Sequence, residues 1–216
     1  MIDANVKISC IATNKLSSAL GTTTATTKFI KEKLVNFRLA IPTIISAVIG
    51  ASIGAHLSML ANERTLRILL IPILLIASFF VINKNLFGKS YANDDDFSTG
   101  TYVIASIASL VIGMYDGFYG PGTGTFLIIV LNVFAHLNLG RANAQTKVIN
   151  LTTNITSLII FIINGQVIWK IGLAAGIFGI LGNYIGATLA IKLNAKITRP
   201  IILIVLALLF IKIITS

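Results

Sequence analysis

Negative charge is scarce in this chain. Seven Asp and Glu stand against 17 Lys and Arg, and charged residues of both signs make up only 11% of the 216 positions. Soluble domains carry roughly 25% charged residues, so a water-exposed globular enzyme is excluded. Cysteine is nearly absent: Cys10 alone can form no internal disulfide and no cysteine-based zinc site. His56 and His136 lie far apart and lack metal-ligand spacing, so no metal or other cofactor is expected. The first thirty residues lack the continuous apolar stretch and cleavage site of a secretory signal. The excess of ten positive charges falls between apolar runs without an interleaved aromatic platform, which argues against nucleic acid as a partner.

What remains is apolar: 56% hydrophobic residues and a mean hydropathy of +0.91. Runs fall at Leu39–Leu60, Leu66–Ile82, Thr101–Met114, Thr125–Leu137, Val148–Ile163 and Ile171–Leu193, with a further one at Pro200–Ile214. The first and sixth are long enough, at 1.5 Å per helical residue, for a hydrocarbon core of about 30 Å. Only helices satisfy their own backbone within lipid apart from closed barrels, and runs of this length exclude barrel strands. The expected fold is therefore all-α, a polytopic helical integral membrane protein. Thr198 and Pro200 suit the start of the last helix, Pro72 should kink the second, and Trp169 suits a membrane interface.

The chain also repeats itself. At an ungapped offset of 132, Gly50-Ala-Ser-Ile-Gly54-Ala-His-Leu57 falls on Gly182-Asn-Tyr-Ile-Gly186-Ala-Thr-Leu189. At the same offset Lys15 falls on Lys147, Phe29 on Phe161 and Phe37 on Trp169. Glycines four apart let membrane helices approach closely, so they are read as packing residues. If Thr101–Leu137 crosses the membrane as a hairpin, most Lys and Arg share one side, which the positive-inside rule favours. Each residue of the first half then lies opposite its partner, the plan of an inverted-topology repeat. The expected organisation is a first repeat over 1–82, a polar linker over 83–100 carrying Asp94–Asp96, and a second repeat over 101–216 with a Gly-rich hairpin. Met1 aligns with Val133, so the first repeat lacks a counterpart of Thr101–Asn132 and is read as truncated.

Three groups could carry chemistry. The stretch 113–126, GMYDGFYGPGTGTF, is expected to be irregular backbone at membrane depth, which is tolerated only where it lines a cavity or is buried in protein. Its amides, at Gly120, Gly122 and Gly124, would suit an anion at the start of the following helix. Asp116 is the one acidic residue inside an apolar region, and intramembrane carboxylates mark ion or proton pathways. Lys15 and Lys147, each preceding a helix rich in hydroxyls and amides, are expected to approach one central cavity from opposite faces. Asn150 and Asn154 lie on the second of these helices.

The stretches 12–24 (ATNKLSSALGTTT), 113–126 and 144–169 (AQTKVINLTTNITSLIIFIINGQVIW) resemble the sulfite exporter TauE/SafE family. The resemblance spans essentially the whole chain. It implies a multi-pass transporter, permease-like, of the bacterial inner (cell) membrane, moving a small organic or sulfur-containing anion. It implies a glycine-rich hairpin ahead of Ala12–Lys15. It also implies that Thr13, Asn14, Lys15, Lys147, Asn150 and Asn154 lie near the central path, with Asp116 and Tyr119 on the glycine loop. With no Walker motif, coupling to an ion or proton gradient is the expected energy source, with Asp116 as its carrier. A non-transporting scaffold or a degenerate copy is the alternative. An intramembrane enzyme is not expected, because paired acids, His/Cys ligands and a Ser–His–Asp set are all missing.

Overall fold

The computed structural model describes residues 4–60, 97–193, 200, 201, 204, 207 and 208. Within them the chain forms six helices: α1 Ala4–Lys31, α2 Phe37–Leu60, α3 Thr99–Phe118, α4 Thr123–Val133, α5 Leu139–Ile163 and α6 Trp169–Leu193. There is no strand among the described residues. The fold is all-α, and α2, α3, α5 and α6 are long and apolar enough to cross a membrane. The expected span Leu66–Ile82, with Pro72, and the residues Asp94–Asp96 and Thr198 lie outside the described residues.

Helix α1 is the least apolar long element, and its hydroxyls explain how it can still be buried. Thr13, Thr22, Thr23 and Thr27 donate to carbonyls one turn back, at 2.6 to 2.8 Å, so they carry no unpaired polar group into the bundle. The helix buries Ala12, Leu16, Ala19, Ala25 and Phe29 against α5 and α6. Side-chain caps set three starts: Asn36 Oδ1 accepts from Leu39 N–H, Ser98 from Thr101 N–H and Asn138 from Arg141 N–H. Sequence reasoning found none of these three caps.

The offset of 132 reappears in the backbone. Phe37, the first residue of α2, maps onto Trp169, the first of α6, and Lys31, the last of α1, maps onto Ile163, the last of α5. Both first helices end in the same turn. Lys33 (φ 56°) and Gly165 (φ 66°) are left-handed, with bonds from Leu34 N–H to Phe29 O and from Gln166 N–H to Phe161 O. This is the helix-ending motif in which a left-handed residue lets the chain fold back onto the last turn. Helix α1 packs on α6, and α5 packs on α2.

Helices α3 and α4 have no counterpart in this scheme. Helix α3 lies along α2 with the backbones in contact, because Gly50 and Gly54 face it and Gly113 and Gly117 answer from its side. A Cβ on Gly54 would fall on the Met114 carbonyl, and one on Gly117 on the Ala51 carbonyl. Helix α4 has 11 residues, about 16 Å at 1.5 Å per residue, and cannot cross the bilayer alone. It buries Phe126, Leu127, Ile128, Ile129 and Leu131 in protein, with Leu39, Ala105, Leu137 and Ile149 in the surrounding core. A helix end at that depth is admissible only under such cover.

The expected irregular stretch 113–126 is corrected to a shorter break. Helix α3 runs through Asp116 to Phe118, and only 119–122 leave the helix. Gly113 and Gly117 are contact residues on α3, four apart like those of α2, and a lone glycine costs a helix only about 1 kcal/mol. Lys15 and Lys147 also sit inside α1 and α5 instead of ahead of them.

Candidate functional site

The break between α3 and α4 organises the polar interior. Gly120 (φ 97°) and Gly122 (φ 84°) adopt left-handed backbone, open to glycine at little cost. Tyr115 OH donates to Pro121 O at 2.6 Å and Thr123 Oγ1 to Gly120 O at 2.7 Å, so the turn is tied to both flanking helices.

Beneath this turn Lys15 Nζ meets Asp116 Oδ1 at 2.9 Å, both side chains buried. Asp116 also accepts from Thr123 Oγ1 at 2.9 Å and from Thr153 Oγ1, while Lys15 donates to Asn154 Oδ1 at 3.2 Å. Four helices thus converge on one ion pair. A Cβ on Gly120 would stand 2.8 Å from Asp116 Oδ1 and 3.2 Å from Lys15 Nζ, so the turn lies directly on the pair. Breaking such a buried pair by removing one partner typically costs about 3–5 kcal/mol, because the other charge is left uncompensated.

Lys147 has a different setting. It lines a cavity of about 330 Å³ together with Phe29, Gly124, Thr125, Asn143, Thr146, Asn183 and Gly186. No acidic side chain lines that space, and Lys147 has no ion-pair partner among the described residues. Thr146 Oγ1 and the neighbouring Asn150 Oδ1 are buried without a hydrogen-bond partner among the described residues. Asn150 lies against Gly124, whose Cβ would stand 3.1 Å from its Nδ2. The first turn of α4, with Gly124 and Thr125, opens onto this cavity. Helix N-termini carry unpaired N–H groups and a partial positive charge, and with a lysine they form an environment for an anion.

The expectation of one cavity shared by both lysines is therefore corrected: Lys15 is not among its lining residues and is neutralised by Asp116. Lys15, Asp116, Gly120 and Asn154 come together at the pair, and Gly124, Lys147 and Asn150 at the cavity. Gly122 caps α4. Tyr119 caps α3 through its backbone, its N–H bonding Tyr115 O. Thr13 instead accepts from Ile168 N–H at 3.1 Å, tying α1 to the turn before α6, and Asn14 is exposed. Thr123, Asn143, Thr146 and Asn183 were missed. Asn183 had a signal, as the one amide inside the glycine-rich repeat of an otherwise apolar helix.

Spanning helices, a half-length helix ending inside the protein and charged groups held in an apolar bundle define a polytopic helical membrane protein with a polar interior. The family model described as "Sulfite exporter TauE/SafE" matches residues 5–213, and the chain belongs to this family of membrane transporters. It is 34% identical over 200 residues to "Probable membrane transporter protein YfcA" of Escherichia coli (strain K12), covering 91% of this chain and 72% of that protein. It is 32% identical over 198 residues to "Probable membrane transporter protein ORF9" of Sinorhizobium sp, covering 90% and 74%. A "Probable membrane transporter protein" of Haemophilus influenzae is 29% identical over 195 residues, covering 90% and 75%. No solved structure matches. The relatives are transporters, and the chain is read as a transporter and not an enzyme.

Proposed function

We propose that this chain moves a small organic or sulfur-containing anion, such as sulfite, across the bacterial inner membrane by gradient-driven alternating access. The observation that carries the reading is Lys147: a lysine with no countercharge, facing a cavity beside the start of α4 and two unpartnered polar side chains. An anion there would complete the charge and accept from the ammonium, the Asn143 amide and the first amides of α4. Charge-assisted hydrogen bonds of this kind are about twice as strong as neutral ones.

Asp116 is the group that would couple transport to a proton gradient. While ionised it holds Lys15; a proton on its carboxyl releases Lys15 to a second anion-binding role and loosens the contact between α1 and α3. The full set of proposed path residues is Lys15, Asp116, Gly120, Gly122, Gly124, Lys147, Asn150 and Asn154. Thr13, Asn14 and Tyr119 remain in the proposal at its margin.

The test is sulfite flux into proteoliposomes carrying the purified chain. Lys147→Gln should lower apparent affinity at least tenfold, since removing one partner of a desolvated charge pair typically costs about 2–5 kcal/mol. Lys147→Arg should fall between the two, because the guanidinium fork and the ammonium differ in shape. Exposed Lys192→Gln should leave flux unchanged. Equal affinity for wild type and Lys147→Gln would show the lysine to be an anchor, and uphill flux that survives a protonophore would remove Asp116 from coupling.

A further inference from the structure

The two copies of the glycine repeat are used differently. Gly50 and Gly54 of α2 are buried, pressed against the α3 backbone. Their partners Gly182 and Gly186 of α6 are exposed, and among the described residues nothing lies within 4 Å of where a Cβ would stand. The contrast runs along the whole face: Leu39 is 0% exposed and its partner Ile171 is 59% exposed. Thr43 is buried and its partner Ala175 exposed. The same stretch of α6 walls the Lys147 cavity, into which the buried and unpartnered Thr146 hydroxyl faces.

We propose that this face of α6 is a docking surface for an apolar helical hairpin with small residues four apart, seated as α3 is seated on α2. The occupant is specified by the molecule itself. The α2–α3 contact is the working copy of the interface, and the equivalent turns at Lys33 and Gly165 and the matching helix bounds place α6 in the role of α2. Lipid is a poor occupant for the same positions. Gly182 and Gly186 offer backbone where a lipid-facing helix gains from bulky side chains, and small residues are the usual means of close helix approach in membranes. Seated there, the hairpin would lie over Lys147 as residues 119–122 lie over Lys15, and would close the open side of the cavity. This inference does not depend on the nature of the transported solute.

The experiment supplies the hairpin and reads α6 directly. A copy of residues 99–132 fused ahead of Met1 keeps the offset of 132, and Gly182→Cys in a Cys10→Ser background reports on the face through a water-soluble maleimide. The fused protein should label at least tenfold more slowly than the unfused chain and melt at higher temperature in detergent. Gly186→Leu in the fusion should return both to the unfused values, because a leucine occupies the seat. Should the fusion fail to insert, a synthetic peptide of residues 99–133 added to the detergent-solubilised chain must give the same protection. Equal labelling with and without the hairpin, or indifference to Gly186→Leu, would overturn the proposal. Protection already present in the unfused chain would overturn it in favour of lipid or a second copy.

Discussion

Lys15 and Lys147 occupy equivalent positions 132 residues apart, yet one is neutralised and the other is not. Lys15 lies under the α3–α4 turn with Asp116, Thr123 and Thr153 around the same carboxylate. Lys147 faces a cavity without an acidic wall. The two first helices do not cause the difference, since they share their length, their ending turn and their hydroxyl-rich composition. It comes from what packs on the second helix of each half: α3 covers α2, while the corresponding face of α6 is bare. In this bundle, covering a glycine face and compensating a lysine are the same event.

The sharpest way to break that comparison is to unpair one lysine and leave the other alone. Asp116→Asn should destabilise the protein by about 3–5 kcal/mol, because Lys15 would keep its charge in a buried site without its counterion. Lys147→Gln should leave stability unchanged or raise it, since it removes a charge that has no partner. Thermal unfolding in detergent decides between them, and equal losses in the two variants would show that Lys147 has a countercharge after all.

A second comparison concerns the glycines. Gly54→Ala should cost about 1–3 kcal/mol, because the new methyl meets the Met114 carbonyl and the helices must part. Gly186→Ala should be neutral or stabilising by up to about 1 kcal/mol, as alanine favours helix and nothing described stands in its way. Unfolding midpoints of the two variants measure this in one experiment, and a Gly186→Ala loss as large as that of Gly54→Ala would mean that the α6 face is already occupied.

The smallest effect is expected at the two turns. Lys33 pays the left-handed penalty that Gly165 avoids, so Lys33→Gly should stabilise by about 1 kcal/mol and Gly165→Ala should cost about the same. A shift of the same sign in both would show that the turns are not equivalent.

Much of the fold was legible in sequence because its determinants are local. Apolar runs located four of the six described helices, and the glycine repeat located the matching second helices to within a few residues. Helix α1 was harder to read because its threonines look polar until their hydroxyls are seen to bond the preceding turn. The break after α3 was drawn too wide, since glycine can signal either a turn or a close contact, and only the position of α2 tells which applies at 113 and 117. Lys15 and Asp116 were both singled out, but not as partners. They are 101 residues apart in sequence (116 − 15), on helices whose approach depends on tertiary packing. The cavity had even less local signal, because Asn143, Thr146 and Asn183 acquire meaning only when α4, α5 and α6 meet.

The unbalanced lysine also has an electrical consequence. One elementary charge carried across a membrane potential corresponds to about 2.3 kcal/mol per 100 mV. Lys15 and Asp116 sum to zero, so any rearrangement that carries them together is insensitive to voltage. Lys147 alone contributes a full positive charge, and a monovalent anion bound to it cancels that charge. On the proposed transport reading, the loaded site crosses the field without electrical work, and the return of the empty site is the step that the membrane potential drives or holds back.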